Sequence, residues 1–298
     1  MPVEGNFPSL LDDAEVASKK GQASFTRLTA AGLLAAIVAA MGGATNIDLE
    51  AGRHHFDLGG MAASLAFLAG IGVAIYLLVT KPERGWYEGR AAAESIKTLC
   101  WQYSVGGGIF ALPGPQGAAE LLLSRLREVV GSMKAIELGA ITAGSQITDE
   151  MELLRRQPLA VRRATYLTER LDGQIKWYSD KAFYNQARVR RWFALAIFLQ
   201  LLGVLLGMFK AFGVAEIDML GIAAAIVAGI SAWIQTKDHQ NLAESYALTA
   251  REVSLVRTLG EAADLGDELP WSRFVDDAEQ AISREHTSWL ARRGGQRP

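Results

Sequence analysis

Four stretches of the chain run 18 to 23 residues without a charged side chain, and they come as two pairs. They cover residues 28–47, 58–80, 192–209 and 219–236. A helix rises 1.5 Å per residue, so each spans about 27–35 Å, close to the roughly 30 Å hydrocarbon core of a bilayer. Ten residues (48–57) part the first pair and nine (210–218) the second, so each pair predicts a hairpin that crosses a membrane and returns. The predicted fold is an all-α membrane protein: two transmembrane hairpins, four helices in all, with long cytoplasmic helical extensions. It is an internal duplication, with expected modules over 1–140 and 141–298, each a hairpin with its own cytoplasmic helices. Faint identity between the halves makes the repeat one of pattern.

Half of the residues are hydrophobic and mean hydropathy is +0.14. The 21% that are charged lie almost wholly outside the windows, so a thin membrane part carries a larger polar part. A net charge of −2 gives no general attraction to nucleic acid, and no nucleic-acid partner is expected. The single cysteine, Cys100, forms no internal disulfide, which fits a reducing compartment. It is either a reactive thiol or an inert small apolar residue. A cleaved signal peptide is an alternative for the first window, with cleavage near Ala44. Against it, Glu4, Asp12, Asp13 and Glu15 precede the window, where a signal peptide has a short basic start. A soluble fold burying Ala-rich helices is a further alternative, opposed by two hairpins uncharged along both arms.

Basic residues cluster at one end of the hairpins. Lys19, Lys20 and Arg27 precede the first window, Lys81, Arg84 and Arg90 follow the second, Arg188, Arg190 and Arg191 precede the third, and Lys237 follows the fourth. The short loops hold one basic residue each, Arg53 and Lys210, beside Asp48, Glu50, Asp57, Glu216 and Asp218. The positive-inside rule then predicts a multi-pass membrane protein with both termini and segment 81–191 in the cytoplasm.

The polar parts read as helices. Trp86, Arg90, Glu94, Lys97 and Trp101 share one face, at steps of 4, 4, 3 and 4. Gly106–Gly108 and Pro113-Gly114-Pro115 break that helix, and a helix over about 118–138 follows, with Leu121, Leu122, Leu126, Val129 and Val130 as its apolar set. Thr148 to Met151 reads as a helix cap. From Pro158 to Arg191 one helix carries two stripes, Leu167, Leu171, Ile175, Tyr178 and Ala182 beside Tyr166, Arg170, Gln174, Trp177, Lys181 and Asn185. No break separates it from the third window, so one helix of some 50 residues, roughly 75 Å, is expected to carry cytoplasmic movement to the bilayer. Residues 242–259 read as a helix, 264–270 as a loop and 271–292 as a closing amphipathic helix.

No catalytic constellation appears: no GxxxxGK[ST], no HExxH, no paired cysteines. An enzyme is not expected, nor a cofactor or metal. His54, His55 and Asp57 read as an ordinary polar loop in preference to a metal site, His239 and His286 as surface or interfacial residues, and Gly106–Gly108 as a turn. Within the membrane, small residues dominate. Gly59, Ala63, Ala66, Gly70 and Ala74 line one face of the second helix, Ala196, Gln200, Gly203 and Gly207 one of the third, and Gly221, Ala225, Ala228 and Ala232 one of the fourth. Such faces mark close helix packing, with a pore lining in an oligomer as the sharper alternative. Ser64, Gln200 and Ser231 are the notable polar side chains in the windows, and none is ionisable, which disfavours a coupled transporter. Ser64, Gln200, Gly203, Gly207 and Ser231 are the candidate lining or packing residues.

Four passages resemble a known family. They are Phe7-Pro8 with Leu10, Ala14, Ser18 and Gln22; Trp86-Tyr87 followed by Arg90, Glu94, Lys97 and Trp101; Arg162, Tyr166, Arg170, Gln174, Trp177-Tyr178, Lys181 and Asn185; and Ser283-Arg284-Glu285-His286 with Trp289. In this order around two hairpins they are similar to the SLATT proteins, two-transmembrane effectors associated with SMODS nucleotide synthases and SLOG sensors. The likeness covers nearly the whole chain as two modules in tandem. Trp86, Arg90, Glu94, Lys97, Trp101, Glu285 and Trp289 carry the family signature; segment 244–257 departs most, with Leu248 where arginine is expected. The resemblance implies a membrane effector of a bacterial anti-phage system that forms pores and halts the infected cell.

The leading expectation is a homo-oligomer in the lipid bilayer whose cytoplasmic helices receive a nucleotide second messenger or a sensor protein, after which the hairpins open. Nucleotides need cations and aromatic faces, and Tyr166, Arg170, Gln174, Trp177, Tyr178 and Lys181 supply those types as a candidate signal surface. A polar helix–helix contact explains the same stripe. A membrane scaffold recruiting a soluble enzyme and a housekeeping ion channel are the alternatives for the whole protein.

Overall fold

The computed structural model describes residues 7–45, 48–51, 54–112, 117–133, 145–213, 219–262 and 266–294; for 48–51, 54–55 and 284–294 it describes the backbone alone. Ten helices follow one another among these residues: α1 Ser9–Gly43, α2 Leu58–Thr80, α3 Pro82–Val105, α4 Ala118–Ser132, α5 Asp149–Arg155, α6 Leu159–Thr165, α7 Gly173–Ala211, α8 Met219–Lys237, α9 His239–Ala262 and α10 Glu268–Gly294. A short antiparallel ribbon, β1 Asp48–Ala51 with β2 His54–Asp57, joins α1 to α2, and the rest of the described fold is helical. The helix expected over 118–138 is described as far as Ser132. The closing helix begins at Glu268, three residues ahead of its expected start, because Pro270 falls in the first turn, where no intrahelical N–H is needed.

The expected continuous helix from Pro158 is present, with a feature that periodicity did not foretell. Between α6 and α7, Tyr166–Asp172 forms a π turn, so that Leu159–Ala211 is helical throughout its 53 residues. Caps set the other boundaries. Asp57 Oδ1 accepts from the Gly60 N–H at 2.8 Å to open α2, and Thr148 Oγ1 accepts from Met151 N–H to open α5. Lys81 (φ 45°) and Asp238 (φ 53°) are the two non-glycine residues with positive φ among those described. Each follows the second arm of a hairpin and turns the chain into the next helix, so the duplication repeats a strained corner.

The chain divides into two units. Unit 1 comprises Met1–Gln22, Glu83–Ala182 and Glu244–Pro298; unit 2 comprises Ala23–Pro82 and Phe183–Ala243. Unit 1 has one hydrophobic core drawn from both halves of the sequence, including Phe7, Leu11, Ile96, Trp101, Leu122, Leu126, Met151, Leu171, Val253, Trp271 and Val275. Rings run through it edge to face: Phe7 to Trp101 at 5.8 Å, Trp101 to Tyr166 at 5.8 Å and Tyr166 to Trp271 at 5.7 Å. Phe7, Leu11 and Ala14 are buried in this core, so cleavage near Ala44 would remove a structural element.

Unit 2 holds the four apolar segments, in helices long and apolar enough to cross a membrane. Leu65, Phe67, Leu68, Ile71, Leu78, Phe198, Leu201, Val204 and Leu205 are all exposed on them. A continuous apolar surface of this extent fits lipid, not water, and the chain is a multi-pass membrane protein. Small residues bring the helices together. A Cβ on Gly42 would meet the Gly59 carbonyl at 2.6 Å, and one on Gly229 would meet Ile37 at 2.9 Å. Gly203 and Gly207 face Ala223 and Leu220 of α8.

Candidate functional site

Polar side chains inside unit 1 concentrate at two places. The first is centred on Glu279 of α10, which is 1% exposed and faces Arg170 of the π turn, 0% exposed. Arg170 Nε donates to Oε1 at 2.9 Å and its Nη2 to Oε2 at 2.8 Å, a bidentate pair. The Tyr166 hydroxyl donates to Oε1 at 2.9 Å and Thr98 Oγ1 to Oε2 at 2.7 Å. The carboxylate thus accepts four hydrogen bonds, which matches its acceptor capacity, and α3, the π turn and α10 are tied at one point.

The second place is the C-terminal end of α3. Helix ends leave carbonyls without intrahelical partners and carry partial negative charge. Here the end is buried, and arginines fill both needs. Arg155 Nη1 donates to the Tyr103 carbonyl at 2.5 Å and to the Phe110 carbonyl at 3.1 Å, and its guanidinium lies 4.7 Å over the Tyr103 ring. Burial pulls the Arg155 pKa down from its ordinary value. Arg162, itself buried, donates to the Val105 carbonyl at 2.6 Å and pairs with Glu268; Trp271 Nε1 donates to the same carbonyl at 2.8 Å. The three glycines that follow make room. Gly106 (φ 75°) and Gly108 (φ 52°) adopt left-handed backbone, and a Cβ on Gly107 would lie 2.2 Å from Val275. The triplet is a turn through a crowded corner, with Cys100 buried nearly two turns before it and its thiol pushed up to about 12 by burial.

The six residues expected to form a signal surface do not share one exposed face. Tyr166 and Arg170 lie inside the core on Glu279, and Tyr178 is buried against Tyr246 at 5.9 Å between rings. Gln174 is half-buried; Trp177 and Lys181 are exposed, with Lys181 Nζ 5.6 Å from the Trp177 ring centroid. The physical reason is Glu279, which offers Arg170 a partner that water would otherwise supply. At the edge of unit 1, Trp177, Tyr178 and Tyr246 form an aromatic cluster with ring centroids 5.0–5.9 Å apart, and Arg90 donates to the Tyr246 hydroxyl at 3.4 Å.

The signature residues do separate work. Trp101 is a core ring, Lys97 pairs with Glu15 at 3.1 Å, the Trp86 carbonyl accepts from Ser18 at 3.2 Å, and Glu94 is half-buried. Glu285 and Trp289 fall in the last turns of α10, where side chains lie outside the description, as do those of His54, His55 and His286. Among the membrane candidates, Gly203 and Gly207 pack on α8, whereas Gln200 and Ser64 are exposed. The hydroxyls of Ser64 and Ser231 donate to backbone carbonyls one turn back, at 2.8 and 2.9 Å. Among the described residues no group of three or more His, Cys, Asp or Glu side chains is placed to hold a metal ion. Sequence reasoning missed Glu279, Arg155 and Tyr246, and for Arg162 it missed the burial. The available signal was Glu279 itself, set among Val275, Ala278 and Ile282 on the apolar stripe of α10.

These features define a class: an all-helical, multi-pass membrane protein built by duplication, with a cross-linked polar unit formed from both halves. Comparison with known families gives the particular member of that class. The model of SMODS and SLOG-associating 2TM effector domain 3 matches residues 8–163, and that of SMODS and SLOG-associating 2TM effector domain 1 matches residues 166–289. The chain belongs to the SLATT family, with two modules in tandem. The first match ends within the last turn of α6 and the second begins at the π turn. No curated protein and no solved structure is significantly similar to the chain.

Proposed function

We propose that the protein is the membrane effector of a bacterial anti-phage conflict system. In this reading several copies assemble in the inner membrane, with unit 1 and both termini cytoplasmic. A nucleotide or protein signal received by unit 1 then makes unit 2 permeable. The observation that carries it is the tandem match of two effector-domain models over a chain with four apolar helices. Charge supports the orientation: Arg27, Lys81, Arg188, Arg190, Arg191 and Lys237 flank one end of the spans, and Arg53 and Lys210 the other. The absence of Asp, Glu, Lys and Arg from all four windows favours gated permeability over coupled transport, which uses ionisable or carbonyl ligands at depth. At the edge of unit 1, the exposed Trp177 and Lys181 are the aromatic face and cation that a nucleobase and a phosphate would meet.

Purified full-length protein in dye-loaded liposomes tests the reading. Leakage is expected only when an activating nucleotide or partner protein is added, and Gly203→Leu, which wedges α7 from α8, is expected to reduce it severalfold. Silence with every nucleotide and partner tried, or steady ion-selective flux without any signal, contradicts it.

A further inference from the structure

Within unit 2, α1 and α2 leave an open groove of about 420 Å³ between them. Its wall is almost wholly apolar: Leu28, Gly32 and Ala36 from α1, and Gly70, Ala74 and Leu77 from α2 are among its lining. On α2 the lining runs from Ala66 to Leu77, a rise of about 16 Å, near half of the roughly 30 Å hydrocarbon thickness. The groove therefore has the depth of one leaflet. A flexible hydrocarbon chain suits a groove of this length and lining.

In the chain, two cations flank one end of the groove. Arg27 is adjacent to the lining residue Leu28, and Lys81 lies one turn beyond Leu77, its backbone N–H donating to the Leu77 carbonyl at 3.0 Å. Neither side chain has a hydrogen-bond or ion-pair partner among the described residues. Two cations that stand within one helical turn, along the chain, of the same end of an apolar, leaflet-deep groove, and that have no partner among the described residues, match a molecule with an anionic head and an acyl tail. We propose that this groove is a binding site for one anionic phospholipid, with a tail between α1 and α2 and the phosphate on Arg27 and Lys81. The site needs only that unit 2 lies in a bilayer, and it stands apart from any signal-gated leak.

The test is native mass spectrometry of the full chain in mild detergent, titrated with phosphatidylglycerol or with phosphatidylcholine of the same acyl chains. One phosphatidylglycerol per chain is expected to be retained, with a preference of roughly tenfold or more, since each Lys or Arg near the surface favours anionic lipid. Arg27→Gln combined with Lys81→Asn, which removes both charges and keeps a residue that tolerates left-handed backbone at 81, is expected to equalise the two lipids. Ala74→Phe, or the smaller Ala74→Leu if helicity falls, is expected to lower retention of both. Equal retention of the two lipids by the unmodified protein overturns the proposal. So does a preference that survives loss of both cations, or non-saturating uptake typical of an annular shell only. A lipid-free dimer weakened by Ala74→Phe would assign the groove to a second copy and also overturn it.

Discussion

Glu279 accepts hydrogen bonds from Arg170, Tyr166 and Thr98, side chains that lie 109, 113 and 181 residues away in sequence. Removing one member of a buried ion pair leaves the other charge without a partner, at a cost of about 3–5 kcal/mol. Glu279→Ala is therefore expected to lower the thermal midpoint strongly, read by circular dichroism in detergent. Arg170→Met combined with Glu279→Met is expected to recover part of the loss, because an apolar pair needs no charge compensation while the Tyr166 and Thr98 hydroxyls lose their acceptor. Cys100 answers to pH. Burial raises its thiol from an ordinary 9.0 to about 12, so the folded state favours the protonated form. That contribution is fully present below about pH 9 and fades as pH rises toward 12. Stability is expected to fall over that window, and a Cys100→Ala variant is expected to show a shallower fall. In the native protein at pH 8 the thiol is expected to resist alkylation until unfolding exposes it.

The end of α3 shows how glycine spacing and packing can be separated by experiment. Gly107→Ala sets a Cβ 2.2 Å from Cγ1 of Val275, a side chain that can be shortened. A cost of about 1–3 kcal/mol is expected from overpacking, and Val275→Ala is expected to restore part of it. Gly89 differs, because its Cβ would meet the Ser18 backbone nitrogen at 2.7 Å and the Ala14 carbonyl at 2.9 Å. Gly89→Ala is expected to destabilise with no side-chain truncation able to rescue it; comparative denaturation midpoints check both. The sequence made the apolar helices legible because a charge-free run of bilayer length has few other uses. It made the α5 cap legible too, since Thr148 and Met151 stand at cap spacing. It did not disclose the π turn, the burial of Arg162 and Arg170, or the capping of α3 by Arg155. Those depend on partners brought from distant segments, and local pattern assigns an isolated arginine to water. Glu279 on the apolar stripe of α10 was the one local hint that a cation had to be buried opposite it.

Unit 1 takes Trp101 and Leu122 from the first module and Tyr166, Val253 and Trp271 from the second, so neither module contains a complete core. Residues 1–163 and 164–298 expressed separately are each expected to lack a cooperative thermal transition, and co-expression is expected to restore it. Hairpin count and order were readable as a repeat of pattern, whereas the shared core was not, because interleaving leaves no periodic trace. The central claim is that all four apolar windows cross the membrane; the proposed orientation puts the two short loops outside the cell and α4 inside it. The most direct measurement is membrane-impermeant thiol labelling of single cysteines in intact cells, on a Cys100→Ala background. Lys210→Cys is expected to react from outside, and Arg127→Cys, exposed on α4, only after the membrane is permeabilised. Labelling of both from the same side would contradict the account.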